Sequence, residues 1–321
     1  MDFKVYSLVL GVSFLLLYTD LTGQVFGRPD QGDKFFHILK SADPLGYNPD
    51  GYYAPLFHIV VWVLSRFLGL TLALNLFVGI LIFYLLPWAF NFALEGFWSQ
   101  KIDPTDSTLF YFFVPWFTVL TFIINVWPQI LNMFFMLVLL GLMFRRAKSW
   151  LIILVGILGF FSHTAGGFWI LLVLVFYFFL QDFWVGVIIM GVSLFILSRF
   201  HSLSHRITGI MANWIRSLDL NWGRLFELFF LWINPVSLYL ILQGSKIKRF
   251  DWRDLILFFA VLVVFGSTLL DSQLRPVLNG MLLLGFYGFE SFRRSKAAKV
   301  ACLSWGITWW IVLSYAIITI S

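Results

Sequence analysis

Apolar residues in this chain arrive in near-continuous blocks of about 15 to 24, the length that ~30 Å of hydrocarbon demands of a helix. That pattern excludes most folds. A water-soluble domain is about half apolar and about a quarter charged. Here the fractions are 60% and 12%, with mean hydropathy +0.89. No soluble fold of this size has enough interior to hide so much Phe, Leu, Ile and Trp. Many of the 15 Trp stand at block ends, where an amphipathic ring suits the headgroup region. The sequence therefore predicts an all-α chain, a polytopic transmembrane helix bundle whose first partner is the lipid bilayer.

The expected spans are 3–21, 71–94, 108–124, 127–144, 150–163, 167–181, 183–198, 225–243, 254–270, 275–291 and 298–320, about eleven crossings. With no repeat strong enough to divide it, 1–321 is expected to form a single transmembrane domain. The opening run is read as a first span rather than a cleaved signal. Segment 55–68 is short and carries His58 and Arg66, so it is expected to be a juxtamembrane or re-entrant helix. In 203–218, Ile207, Ile210, Met211, Trp214, Ile215 and Leu218 share one helical face. His205, Arg206, Asn213 and Arg216 lie largely off it, the pattern of an interfacial amphipathic helix.

Charge gives the orientation. The net charge of +6 does not point to nucleic acid, because the cations fall in short clusters between apolar blocks. Arg145-Arg146-Ala147-Lys148, Lys246 to Arg253 and Arg293 to Lys299 are expected on the cytoplasmic side. Span counting then leaves the N-terminus cytoplasmic. It puts 22–54, 162–166, 199–224, 271–275 and the C-terminus outside the cell membrane. Cys302, the single cysteine, allows no disulfide within the chain. The short, glycine-interrupted pair 150–163 and 167–181 suits either a tight hairpin or a site sunk below the membrane surface.

Ionisable residues concentrate in the first outer loop. It runs Gly27-Arg28-Pro29-Asp30-Gln31-Gly32-Asp33-Lys34-Phe35-Phe36-His37, and then Gly46-Tyr47-Asn48-Pro49-Asp50-Gly51-Tyr52-Tyr53-Ala54-Pro55-Leu56-Phe57-His58. On a helix, Asp33 and His37 lie one turn apart on the same face. A carboxylate beside an imidazole can act as a general base or bind a metal or phosphate. It can equally be a helix cap beside a wet histidine. Asp30 adds a carboxylate, and a divalent metal on Asp30 and Asp33 is possible, although no complete ligand set is visible. No other cofactor is indicated.

A first span, an outer loop with Gly-Asp-x-x-x-His, and a Tyr-x-x-Pro-Leu-x-His segment opening the next apolar run resemble the GT-C class of membrane glycosyltransferases. The likeness by motif covers about the first 70 residues; beyond that only the layout of spans matches. It implies a GT-C-like helical fold, an outward active site and a polyprenyl-phosphate-linked sugar as donor. By position it matches Asp33 to the catalytic acid and His37 to the histidine that follows it. Pro55-Leu56 matches the start of the next helix. An acid adjacent to Asp33 is absent, since Gly32 and Lys34 flank it. The chain also lacks the large soluble domain of the oligosaccharyltransferases.

Such a transfer needs a base for the acceptor hydroxyl, here Asp33, and a cation for the leaving phosphate. Arg275, in Asp271-Ser272-Gln273-Leu274-Arg275-Pro276, stands at an outer span end. It can supply a bidentate contact or pair with Asp271. His163, Asp50, His58 and Arg206 are the further candidates for holding substrate. His163 is equally read as a helix-end structural residue and Asp50-Gly51 as a turn pair. The competing functions are a polytopic polysaccharide polymerase or ligase working through loop 199–216, a lipid or solute transporter, and a non-catalytic membrane subunit.

Overall fold

A computed structural model describes residues 39–46, 55–113, 127–199, 235–270, 275–306 and 308. The expected span 3–21, most of the 22–54 loop and the amphipathic segment 203–218 lie outside these residues. Every regular element among them is helical, as the apolar blocks predict.

The first helix, α1 (Leu56–Leu68), stops where Gly69 takes φ 76°, a left-handed value that glycine tolerates without strain. The chain then reverses into α2 (Leu70–Ile80). Contact of the Phe57 and Phe77 rings, 5.4 Å apart, shows that the two helices fold back on each other. A π-helical turn, Leu81–Leu85, joins α2 to α3 (Leu86–Trp98). Its cause is local: Pro87 has no N–H to donate and its ring crowds the carbonyl one turn back, so the helix widens there.

Seven further helices lead from α3 to Leu270. They are α4 (Pro104–Phe113), α5 (Trp127–Phe144), α6 (Ser149–Phe160), α7 (Thr164–Gln181), α8 (Phe183–Arg199), α9 (Pro235–Ser245) and α10 (Trp252–Leu270). They are followed by α11 (Arg275–Arg294), and 296–306 is helical again. The expected boundaries hold to within four residues where they can be compared. The differences have causes. The 150–163 segment ends its helix at Phe160 and 167–181 begins at Thr164, because His163 caps the second helix in an extended conformation. The 71–94 segment runs on to Trp98.

Rings set the helix directions. Trp88 meets Phe134 at 6.3 Å and Phe97 meets Phe144 at 5.5 Å, so α3 and α5 run side by side in the same sense. Between them and α11 lies a Phe-rich core in which Phe90, Phe97, Phe110, Phe286, Phe289 and Phe292 are fully buried. Their edge-to-face contacts, such as Phe110 with Phe289 and Phe97 with Phe286, favour the ring quadrupoles.

At one end of this core the three basic clusters meet. Arg145 pairs with Glu95 at 3.2 Å and donates to the Phe92 carbonyl at 2.5 Å. The Arg146 guanidinium lies 4.9 Å from the Trp252 ring centre. Arg253 donates to the Gly96 carbonyl and to Ser99 Oγ. Lys248 pairs with Asp254 at 2.5 Å, and the Tyr287 hydroxyl donates to the same carboxylate at 2.7 Å. Arg293 and Arg294 both reach Glu290 at 2.7 Å, and Lys299 reaches Asp106 at 2.7 Å. Asp254 and Glu290 are each only 1% exposed. Buried carboxylates of this kind are tolerable because cations and donors surround them. This belt ties together the ends of α3, α5, α9 and α11 and the starts of α4, α6 and α10.

The outside of the bundle is apolar. Along α8, Phe183, Trp184, Ile188, Val192, Leu194 and Phe195 are all more than half exposed. Leu72–Trp98, 27 residues, is the one described helix that is by itself long and apolar enough to cross a membrane.

The belt carries a pH signature. Burial pushes the Asp251 carboxyl up, but hydrogen bonds from Arg253 and Lys248 outweigh it and hold it below its ordinary 3.8. A depressed carboxyl stabilises the fold above the unfolded value and loses that contribution as pH falls below it. Thermal melting of the detergent-solubilised protein is therefore expected to drop as pH falls below about 4, and Asp251→Asn to flatten that drop. An unchanged acid limb in the variant contradicts this assignment.

Candidate functional site

Away from the belt the helices stop short. The α6 helix leaves the belt at Ser149 and ends 12 residues later, about 18 Å along its axis. Asn132 stands at the same level on α5, since its Nδ2 donates to the Gly159 carbonyl and to Ser162 Oγ, both at 3.1 Å. Ser162 Oγ in turn donates to the Gly159 carbonyl at 2.6 Å. By comparison, the 20 residues of α11 span about 30 Å.

His163 opens α7. Its Nδ1 accepts from the Gly166 N–H at 2.9 Å, which places the proton of the neutral ring on Nε2. The glycine pair that follows lets neighbours approach. A Cβ on Gly166 would lie 2.3 Å from Asn132 Oδ1, and one on Gly167 would lie 2.4 Å from the Phe160 carbonyl oxygen. The apparent break in the apolar block is therefore a packing contact inside the first turn of a helix rather than a loop.

The first outer loop reaches this level too. The Leu56 N–H donates to the Phe161 carbonyl at 3.0 Å, docking the start of α1 on the end of α6. Two residues on, His58 is fully buried, with Nδ1 3.0 Å from Ser41 Oγ. Its ring stands edge-on to Phe57. Ser41 is fully buried and Lys40 is 2% exposed. Burial lowers the Lys40 ammonium from its ordinary value, against the opposing pull of Asp43. Asp43 itself closes a turn by accepting from the Gly46 N–H at 2.9 Å.

Two of the sequence-derived candidates, His58 and His163, are thus brought to one level, linked through Leu56 and Phe161. Arg275 is the first residue of α11, at the end remote from the belt. Asp30, Asp33, His37, Asp50 and Arg206 lie outside the described residues. Sequence reasoning passed over Lys40, Ser41, Asn132 and Ser162. Asn132 was the findable one: an amide in the middle of the apolar block 127–144 is costly unless it has a task. Ser41 carries no local signal, because its partner lies 17 residues away.

The arrangement is a sunk, mostly neutral polar cluster of hydroxyls, an amide and two imidazoles, with one buried ammonium on the loop beside it. Such groups can orient a hydroxyl-rich or phosphate-bearing ligand by hydrogen bonds strengthened by low dielectric. Among the described residues no three His, Cys, Asp or Glu side chains group closely enough to hold a metal ion. No protein-family model, curated protein or solved structure matches this chain.

Two stability outcomes follow. Ser41→Ala strips a buried imidazole nitrogen of its hydroxyl and is expected to cost about 1–3 kcal/mol. Gly166→Ala forces Asn132 aside at a similar cost of about 1–3 kcal/mol. Gly191→Ala, with open space at its Cβ, is the neutral control, within about 0.5 kcal/mol. Thermal unfolding of the three variants in one detergent measures them; equal melting of all three contradicts the packing described.

Proposed function

We propose that this chain is a polytopic membrane glycosyltransferase of GT-C type, moving a sugar from a polyprenyl-phosphate donor to an acceptor on the outer face. The observation that carries the reading is the polar cluster, where Ser41 of the outer loop meets His58 of α1 and the start of α1 docks through Leu56 on the end of α6. The belt supports the sidedness: the three basic clusters gather at one end, as cytoplasmic clusters would. The exposed Phe, Trp and Leu of α8 support a bilayer as the surrounding solvent, since a water-facing patch that large is rare.

On this reading α1 is the re-entrant arm of a hairpin. Its 13 residues reach about 20 Å, short of a ~30 Å crossing. Gly69 then turns the chain, and α2 and α3 descend to the belt. Asp33 takes the proton of the acceptor hydroxyl as it attacks the anomeric carbon, and the bond from that carbon to the lipid phosphate breaks. Arg275, with the cationic Lys40 nearby in sequence to the docking turn, stabilises the charge growing on the departing phosphate. His58 and His163 hold and orient sugar hydroxyls.

A transporter is the second reading. It is favoured by the short α6, which turns into α7 about 18 Å from the belt. It predicts substrate uptake without turnover.

Sugar transfer from a polyprenyl-phosphate donor, measured in proteoliposomes, separates these readings. Wild type is expected to transfer, and Asp33→Asn to lose about 10²–10⁴-fold. Arg275→Gln is expected to weaken transfer as well. Unchanged transfer in Asp33→Asn removes that residue from the mechanism, and uptake without transfer by wild type replaces the glycosyltransferase with the transporter.

A further inference from the structure

The acids of the belt are spoken for. Glu95, Asp106, Asp251, Asp254 and Glu290 each sit in an ion pair. Asp103 and Asp182, the other acids at this end, cap the first turns of α4 and α8 through Thr105, Trp184 and Val185 N–H groups. Cations remain over. Arg146, Lys148 and Arg249 are exposed and enter none of those pairs.

Arg146 and Lys148 stand between the end of α5 and the start of α6, and Arg249 stands shortly before the start of α10. Arg146 follows α5 in a left-handed conformation, φ 51°. That turn lays its guanidinium over Trp252, at the start of α10. Lys148 is two residues further on and caps α6. Arg249 lies three residues before Trp252 in the chain. Aromatic rings flank the cations: Trp150 is 62% exposed and Phe250 is 71% exposed.

We propose that this exposed basic and aromatic patch is a headgroup site for an anionic phospholipid of the cytoplasmic leaflet. Arg146, Lys148 and Arg249 take the phosphodiester, and Trp150 and Phe250 rest at the boundary of headgroup and acyl chain. The pairing of the two chemistries selects the ligand. A free phosphate gains nothing from exposed Phe250 and Trp150, whereas a lipid uses both. Basic residues near a leaflet surface attract anionic lipid, and aromatic rings favour that depth. The site rests on the bilayer reading and is independent of glycosyl transfer.

The test uses the full-length protein in phosphatidylcholine vesicles carrying a trace of spin-labelled phosphatidylglycerol or spin-labelled phosphatidylcholine. Electron paramagnetic resonance reads the fraction of each label immobilised by the protein. Wild type is expected to hold the phosphatidylglycerol label about fivefold or more in preference. Arg146→Gln/Lys148→Gln/Arg249→Gln is expected to bring the preference to within about twofold of unity. Because Arg146 also packs on Trp252, Lys148→Glu/Arg249→Glu serves as a second variant that leaves that stack intact, and it is expected to lose the preference too. Equal immobilisation of both labels by wild type, or a preference that survives both variants, overturns the lipid site. No immobilisation of either label overturns the bilayer reading beneath it.

Discussion

The ion-paired belt is the interaction on which the rest of the structure depends. Each helix in the bundle is greasy on several sides, so hydrophobic contact alone leaves its direction and depth loosely specified. Glu95 and Asp106 meet cations from distant parts of the chain, and the locally paired Glu290 and Asp254 accept from Gln100 and Tyr287 across the bundle, which fixes the helices at one level. A buried pair adds little net stability after desolvation, but breaking one is costly, so it selects a single register. Asp254 combines Lys248, from the turn that precedes its own helix, with Tyr287 of α11.

With the belt as a floor, helix length becomes depth. The short α6 ends about 18 Å from the belt, whereas the reversal at Gly69 lies beyond the 27 residues of Leu72–Trp98, about 40 Å along the axis. Backbone turns at such depth must satisfy their polar groups internally. The Leu56–Phe161 bond, the His163 cap and the Asn132–Ser162 contacts meet that need. The same groups that make the turns affordable form the cluster proposed to hold substrate, so packing and function share residues there.

Much of this was legible in the sequence. Block length and apolarity gave the helices and their boundaries, because one helix needs only local information. The basic clusters were expected on one side, and they converge. Their acidic partners were not foreseen, since Glu290 and Asp254 look like ordinary helix-end residues with local cations until the fold brings Gln100 and Tyr287 to them. His163 was weighed as a helix-end residue and does cap α7. His58, weighed as a secondary ligand, is fully buried against Ser41, a long-range contact that no spacing rule reveals. Gly166 and Gly167 read as a break and proved to be a close approach of two helices, because sequence distinguishes a flexible glycine from a crowded one poorly.

The central claim is that the belt and the polar cluster face opposite sides of one bilayer. Labelling with a membrane-impermeant maleimide on intact cells tests it most directly, in a Cys302→Ala background carrying either Leu45→Cys, beside the cluster, or Lys148→Cys, on the belt. Leu45 is 78% exposed and Lys148 is exposed, so both thiols can react. The account predicts that Leu45→Cys labels on intact cells and that Lys148→Cys labels only after lysis. Labelling of both from the same side contradicts it.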